Sequence, residues 1–408
     1  MLLELILALL IGVSAGTITG LTPGIHINLI AILLLSISAT LLNITSPLTL
    51  VIFIIAMAIT HTFIDFIPSI FLGAPDEDSV LSILPGHKLL LKGKGYFAII
   101  LTLYGSLTGL LIILILSPVF IYLLPIFYPY VERIIWIILI LASGYLIFFT
   151  EKEIKNKLWA LIIFLLAGFL GIASLNLNLK EPLLPLLTGL FGASNLFISI
   201  KNKIKIPKQK ITNLKNIKLN KKSIAKASIA SMIASPLTAF LPGLGASQAA
   251  VIGSEVLGDY KKIEQREFLF LLGAINTIVM GLSFITLYSI QKTRTGATVA
   301  ISKLIPELTL TNLFYILGTI ILAGIISFFI AILISKQLAK HIHKFNYSKL
   351  SITIIIILTI LTFAFTGFLG LLVFITATSL GVSTILLGIR RMHLMGCLLV
   401  PTILFYLI

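Results

Sequence analysis

Two Pro-Gly pairs interrupt apolar stretches where a helix would otherwise continue. They lie in TGLTPGIHINLIAILL (residues 20–35) and TAFLPGLGASQAAVIG (residues 238–253). Proline inside a helix removes one backbone hydrogen bond and clashes with the preceding turn, so a break is expected at Thr22 and at Leu241. Proline suits the first position of a new helix, and Thr22 is placed to cap the first of these. The second arm of each hairpin then begins within the membrane with unpaired N–H groups and a partial positive charge, which attract anions. Pro23, Gly24, Pro242, Gly243 and Gly245 let a substrate approach the backbone. His26, Asn28, Ser247 and Gln248 supply polar contacts. The other reading of each pair is a tight turn between two full spans; its recurrence at matching positions favours a paired binding site.

A second group of polar residues lies at membrane depth. His61 and Asp65 in ITHTFIDFIPSIFLGAPDEDSV (59–80) are four apart and share a helix face. Ionisable groups inside a span are expensive and mark a pathway or a paired contact. Asp65 therefore reads as a proton or sodium coupling site with His61 beside it, or as a self-satisfied pair near a kink at Pro68. Asn276, in LLGAINTIVMGLSF (271–284), either binds substrate or bonds a neighbouring helix. Asp76, Glu77 and Asp78, with His87, Lys88, Lys92 and Lys94, read as solvated loop charges. Lys292 and Arg294 read as headgroup anchors or as attractors of an anion. Glu4 and Glu255 have no evident partner, and Cys397 is a packing residue. There is no phosphate-binding loop, no metal-ligand spacing and no nucleophile–base arrangement. The expectation is a non-enzyme without metal or cofactor, apart from a coupling Na+ or H+.

The elements that position these residues are membrane helices. Only 11% of the 408 residues are charged, 58% are hydrophobic, and the mean hydropathy is +1.14. That is far below the charge a water-facing surface carries. The apolar runs are continuous, which argues against a β-barrel. Glu4 and the lack of a basic leader make the first run a retained helix rather than a signal peptide. The net charge of +16 does not indicate nucleic acid, because the cations lie between apolar runs. Residues 201–226 hold ten Lys and no acid, which places them in the cytoplasm.

This basic linker divides the chain into a first membrane repeat (1–200) and a second (227–408). Apolar runs cover about 3–20, 25–42, 48–72, 96–118, 132–149, 157–174 and 183–200, then about 227–240, 244–258, 267–290, 308–335, 350–366, 367–388 and 394–408. A hairpin makes no net crossing, so each half crosses about five times and the halves point in opposite directions. The fold expected is an all-α polytopic membrane protein of two inverted-topology repeats, each about five spans plus a Pro-Gly hairpin.

PGIH and PGLG, each after a Gly-containing apolar helix, resemble the paired Pro-Gly motifs of the TctA family. That family is the large membrane subunit of tripartite tricarboxylate transporters. SILPGHKLLLKGKGYFAI (82–99), GAINTIVMG (273–281) and TRTGATVA (293–300) are similar to further family segments, in order and in both halves. The resemblance implies a permease with inverted repeats for an organic anion, with ion coupling and a site at Pro23–His26, Pro242–Gly245 and Asn276. It also implies a small membrane subunit and a binding protein as partners. His26 stands where a small residue is expected, Asn276 is single rather than paired, and TRTGA lacks a preceding Pro. With these departures the expectation is a small organic anion, and neither tricarboxylates as such nor the need for the two partner subunits is carried over. Two further functions fit the hairpins: translocation of a polyprenyl phosphate, whose lipid phosphate suits helix N-termini, and a non-transporting membrane scaffold.

Overall fold

The computed structural model describes residues 2–407 apart from 23–26, 37, 74–82, 152, 202–205, 215–219, 242–244, 257–263 and 345, and without some helical side chains, Asn28, Gln248 and Glu255 among them. Every regular element in it is helical. The chain opens with α1 (Leu2–Leu21), α2 (Ile27–Ser36), α3 (Ser38–Leu41), α4 (Pro47–Ile64), α5 (Phe66–Leu72) and α6 (Ile83–Leu91). Next come α7 (Gly95–Thr150), α8 (Ile154–Asn176), α9 (Leu183–Leu187), a π-helical turn (Thr188–Ala193) and α10 (Ser194–Lys201). After the linker follow α11 (Lys221–Phe240), α12 (Ala246–Val256), α13 (Gln265–Ile290), α14 (Gly296–Leu304), α15 (Leu310–His341), α16 (Tyr347–Leu386) and α17 (Gly396–Leu407). Among the described residues nine helices are long and apolar enough to cross a membrane. The protein is an all-α, multi-pass membrane protein.

Two helices have their apolar stretches enclosed by it. The most apolar stretch of α13 is buried at every position, and that of α4–α5 nearly so. A helix apolar on all sides belongs in the interior of a bundle. Ser46 starts α4 by accepting a hydrogen bond from the Thr49 amide (3.2 Å), and Pro47 occupies the first turn where no N–H is needed. The helix breaks at Asp65 because Pro68 has no N–H for the Ile64 carbonyl, and it resumes as α5.

Small residues set the neighbours. Gly12, Gly16 and Gly20 on α1 face Phe53, Met57 and Ile64 on α4, so the two helices run parallel in contact. In the same manner Gly105, Gly109 and Ile113 of α7 meet Phe270, Ala274 and Gly281 of α13, again in parallel. The chain returns to its starting level after α1–α3: the Glu4 carboxylate accepts from the hydroxyls of Thr45 (2.6 Å) and Thr49 (3.0 Å). Glu4 thus has partners, contrary to the sequence expectation; they lie 41 and 45 residues away and no local pattern announces them.

The apolar interior falls into two main cores, each drawing on both sides of the linker. One joins α1, α4–α5, the first part of α7 and α11–α15. The other joins the last part of α7 (Ile135, Leu139, Leu146), α8, the π turn, α16 and α17. One pair of runs that the sequence separates is a single helix here: runs 96–118 and 132–149 both belong to α7, which contains Pro118, Pro125 and Pro129 and would extend about 84 Å if straight. Runs 350–366 and 367–388 are two helices, as the sequence separates them: α16 kinks at Gly367, whose φ of 65° and ψ of −160° are open essentially only to glycine.

The linker is held at both ends of its described part. Gln209 is buried: its Oε1 accepts from the Gly95 amide (2.7 Å) and its Nε2 donates to the Leu90 carbonyl (3.1 Å). The Lys210 amide donates to the Gly93 carbonyl (2.8 Å). Residues 221–226, expected in the linker, already form the first turns of α11, capped by Asn220.

Arg391 closes the second core. Its guanidinium donates to the carbonyls of Leu190 and Phe191 and lies 5.4 Å over the Phe191 ring. These carbonyls belong to the π turn, where the regular i→i−4 ladder is interrupted. Arg391→Met should destabilise the protein by about 2 kcal/mol, read as a lower melting temperature in detergent. An unchanged melting temperature would show that the π turn holds without it.

Candidate functional site

The two enclosed helices meet through side-chain hydrogen bonds. Asn276 Nδ2 on α13 donates to Asp65 Oδ2 (3.0 Å) at the α4–α5 junction, and to the Thr62 carbonyl (3.4 Å). Asp65 and Asn276 are each 2% exposed. The Thr62 hydroxyl donates to the Ile59 carbonyl (2.8 Å), so in its 3.4 Å contact with Thr277 the latter is the donor. One turn away, Thr19 of α1 donates to the Gly16 carbonyl (3.1 Å). The same hydroxyl is hydrogen-bonded to His61 Nδ1 at 3.0 Å, with the direction set by the imidazole tautomer. The Thr60 hydroxyl lies 2.8 Å from that of Ser327 on α15, and each also has a carbonyl one turn behind, Ala56 (2.7 Å) and Ala323 (2.6 Å), so the two hydroxyls share their protons between these acceptors and each other. Four helices, α1, α4, α13 and α15, thereby converge in a buried polar chain drawn from both halves.

Asp65 keeps helical φ/ψ (−59°, −24°), and its amide donates to the His61 carbonyl (2.9 Å), so it sits within the enclosed α4–α5 segment where only the bond lost at Pro68 is missing. A carboxylate this deep is stable as an ion only with hydrogen-bond donors or a cation, and otherwise binds a proton. An amide donor from Asn276 supports the ion without neutralising it. Such a group can therefore take up and release H+ or a small cation as its surroundings change.

One arm of each hairpin passes near this pair, while the end of α11 lies further along α13, where the Thr286 hydroxyl donates to the Ala239 carbonyl (3.5 Å). A Cβ on Gly20, near the end of α1, would lie 3.4 Å from the Asp65 amide nitrogen. On the other side, a Cβ on Gly253 of α12 would lie 3.2 Å from Ile275, next to Asn276. Helix α1 ends at Leu21 and α11 at Phe240, and their described successors begin at Ile27 and Ala246. Gly245 and Ser247 are buried at the start of α12, where the Ala249 amide donates to the Gly245 carbonyl (3.2 Å). Pro23, Gly24, His26, Pro242 and Gly243 lie outside the described residues, as do the side chains of Asn28 and Gln248 and the acids Asp76, Glu77 and Asp78. The Thr22 hydroxyl donates back to the Ile18 carbonyl (2.7 Å), one turn behind, and the amides it was expected to cap lie outside the described residues.

The structure brings together Asp65 and Asn276, which the sequence suggested separately, and adds Thr19, Thr60, Thr62, Thr277 and Ser327. Hydroxyls are common in membrane helices, so nothing in the sequence set these five apart. The spacing Gly12–Gly16–Gly20 was a legible signal for the α1–α4 contact. Lys292 is engaged at the far end of α13, with Glu132 at 3.0 Å and the Tyr128 ring at 5.6 Å. The TRTGATVA segment forms the start of α14, capped by Thr295 and Thr298, and α14 packs against α2 of the first hairpin.

Residues 6–396 match the tripartite tricarboxylate transporter TctA family. The chain belongs to this family. An uncharacterized protein of Methanocaldococcus jannaschii is 31% identical over 421 aligned residues, which cover 98% of this chain and 99% of that protein. No solved structure matches the chain. Membership in TctA makes the chain a membrane permease subunit of the tripartite tricarboxylate transporter type, in a family of transporters rather than enzymes. TctA proteins work with a small membrane subunit and a periplasmic binding subunit.

Proposed function

We propose that this permease is a secondary transporter for a small carboxylate-type anion, driven by H+ or Na+. The observation that carries the reading is the buried Asp65–Asn276 hydrogen bond, which joins the two enclosed helices, one from each half of the chain. Asp65, with His61, takes the coupling ion. The starts of α2 and α12, with Pro23–His26, Asn28, Pro242–Gly245, Ser247 and Gln248, hold the anion, and Asn276 links the two sites. Occupancy of one then alters the other through a single amide.

The proposal includes the inverted-repeat plan, with a first repeat over 1–200 and a second over 227–408. Helix α4 runs down to the turn from which α7 starts, and α7 runs parallel to α13, so α4 and α13 are antiparallel. Corresponding third spans in opposite senses are what inverted repeats require.

The test is uptake into proteoliposomes of citrate and smaller carboxylates, under imposed H+ or Na+ gradients, with and without the small membrane and binding subunits. Uptake should follow one of the gradients and fall about tenfold or more in the Pro23→Ala/Pro242→Ala double variant, because half-helix termini create the anion site. Uptake indifferent to both gradients, or undiminished in the double variant, would overturn the reading.

A further inference from the structure

We propose that the linker face of the protein is a receiving surface for the soluble anion, resting on the transport reading above. Six cations from three segments are gathered there. Lys88, Lys92 and Lys94 belong to α6 and the α6–α7 turn, Lys208 and Lys210 to the linker, and Arg266 to the first turn of α13. All six side chains are exposed, and no described residue forms an ion pair with any of them. Among the described residues Glu264 and Glu267, at the start of α13, are the acidic neighbours, which leaves the six cations in excess; Asp76, Glu77, Asp78 and Asp259 lie outside the described residues. Burial, only partly offset by a hydrogen bond to the Ile70 backbone, holds the His87 imidazole below its usual pKa, so it adds no charge near neutral pH.

The arrangement is fixed rather than merely basic. The Lys210–Gly93 backbone bond and the two bonds of Gln209 lay the linker along the α6–α7 turn, which seats Lys208 and Lys210 beside Lys92 and Lys94. Gly93, at φ +71°, has the Lys208 carbonyl 3.0 Å from where a Cβ would be. Arg266 lies 5.3 Å over the ring of Phe97, one turn into α7. An excess of cytoplasmic lysine satisfies the orientation of the chain; it does not require them to be tied into one place.

The place is informative. The helices beneath are enclosed by protein: Tyr96, Ala98, Ile99 and Ile100 of α7 are buried, as is all of the apolar stretch of α13. The cations therefore stand over the interior of the bundle and not along its lipid-facing rim. A Cβ on Gly95 would meet the ring of Phe71, so α5 ends beneath this surface. Phe71 is six residues beyond Asp65, about 9 Å along the helix. A water-facing cluster of one sign above such a route raises the local concentration of the opposite ion, in proportion to its charge, and is screened by salt. The fitting partner is a small soluble polyanion, a di- or tricarboxylate, arriving at or leaving the linker side.

The experiment compares wild type with Lys92→Gln/Lys208→Gln/Lys210→Gln in vesicles of defined orientation. At about 20 mM salt the triple variant should exchange carboxylate from the linker face about three- to tenfold more slowly, with no change from the opposite face; at about 0.5 M salt the two proteins should converge. Equal rates at low salt, or a loss that is the same on both faces or persists at high salt, would overturn the proposal. Polarisation of a pyrene trisulfonate probe reports binding without transport, and wild type should bind it at least about threefold more tightly at low salt. If wild type exchanges nothing from either face, the transport reading fails. The surface then stands or falls on the probe. A melting-temperature gain with anionic phospholipid, seen in wild type but not in the triple variant, would assign the cations to headgroups and overturn the soluble partner.

Discussion

Asp65→Asn is expected to abolish accumulation of the anion against its gradient, by about tenfold or more, while leaving exchange of internal for external substrate in place. Asparagine has nearly the shape of aspartate and still offers an oxygen to Asn276 Nδ2, which lies 3.0 Å from the carboxylate. It cannot take up a proton and is a poor partner for a cation. The variant therefore keeps the contact between the two enclosed helices and loses the charge that a driving ion would neutralise. Labelled substrate measures both modes in the same vesicles: accumulation under an H+ or Na+ gradient, and counterflow without one. Unchanged accumulation would remove Asp65 from the coupling step. Loss of both modes in a protein that still melts as wild type would make Asp65 part of the anion site instead. Asp65→Ala is the useful contrast, since it leaves the buried amide of Asn276 short of an acceptor and should also lower the melting temperature, by about 1–3 kcal/mol of stability.

Gly273→Val is expected to have the largest structural effect. A Cβ at Gly273 would overlap the Thr102 carbonyl, and one at Gly105 would overlap the Phe270 carbonyl, so α7 and α13 touch backbone to backbone from both sides. Ser106 fixes the register by donating to the Gly273 carbonyl (3.1 Å). Valine adds three carbons where there is no room for one, and α13 is enclosed along its whole apolar stretch, with nowhere to shift. A loss of about 3 kcal/mol or more follows, enough to abolish recovery of folded protein. Gly318→Ala on α15 is the control: nothing lies within 4 Å of a Cβ there, and alanine should raise stability by about 0.5–1 kcal/mol through helix propensity alone. A Gly273→Val protein melting within a degree or two of wild type would show that the two helices separate more easily than this packing implies.

Much of this was legible in the chain. Long apolar runs with few charges announced membrane helices, because lipid leaves the backbone no other way to satisfy its polar groups. His61, Asp65 and Asn276 stood out because polarity at that depth is costly. What could not be read was their pairing. Asp65 and Asn276 are 211 residues apart, and a hydrogen bond between two helices leaves no periodic trace in either. Thr19 and Ser327 were invisible for a related reason: a hydroxyl can always satisfy itself on the preceding turn, so its sequence position does not show whether it also reaches a neighbour. The joining of runs within α7 failed differently. Pro118, Pro125 and Pro129 are breakers by local rules, yet all three lie on the exposed side of α7, while Phe120, Leu124 and Tyr128 pack its other face and carry the helix through.

The shared cores bear on how the chain is made. The enclosed helix α4–α5 is packed by α13 and α15, whose contacts Asn276 and Ser327 are 211 and 267 residues removed from Asp65 and Thr60. At about 5–20 residues per second, ribosomes reach Asn276 on the order of 10–40 s after Asp65. For that interval a span destined for the interior, with an acid at its break, lacks its final neighbours. Insertion and assembly are thus separated in time, and the first half must wait in the bilayer for the second before either has an interior.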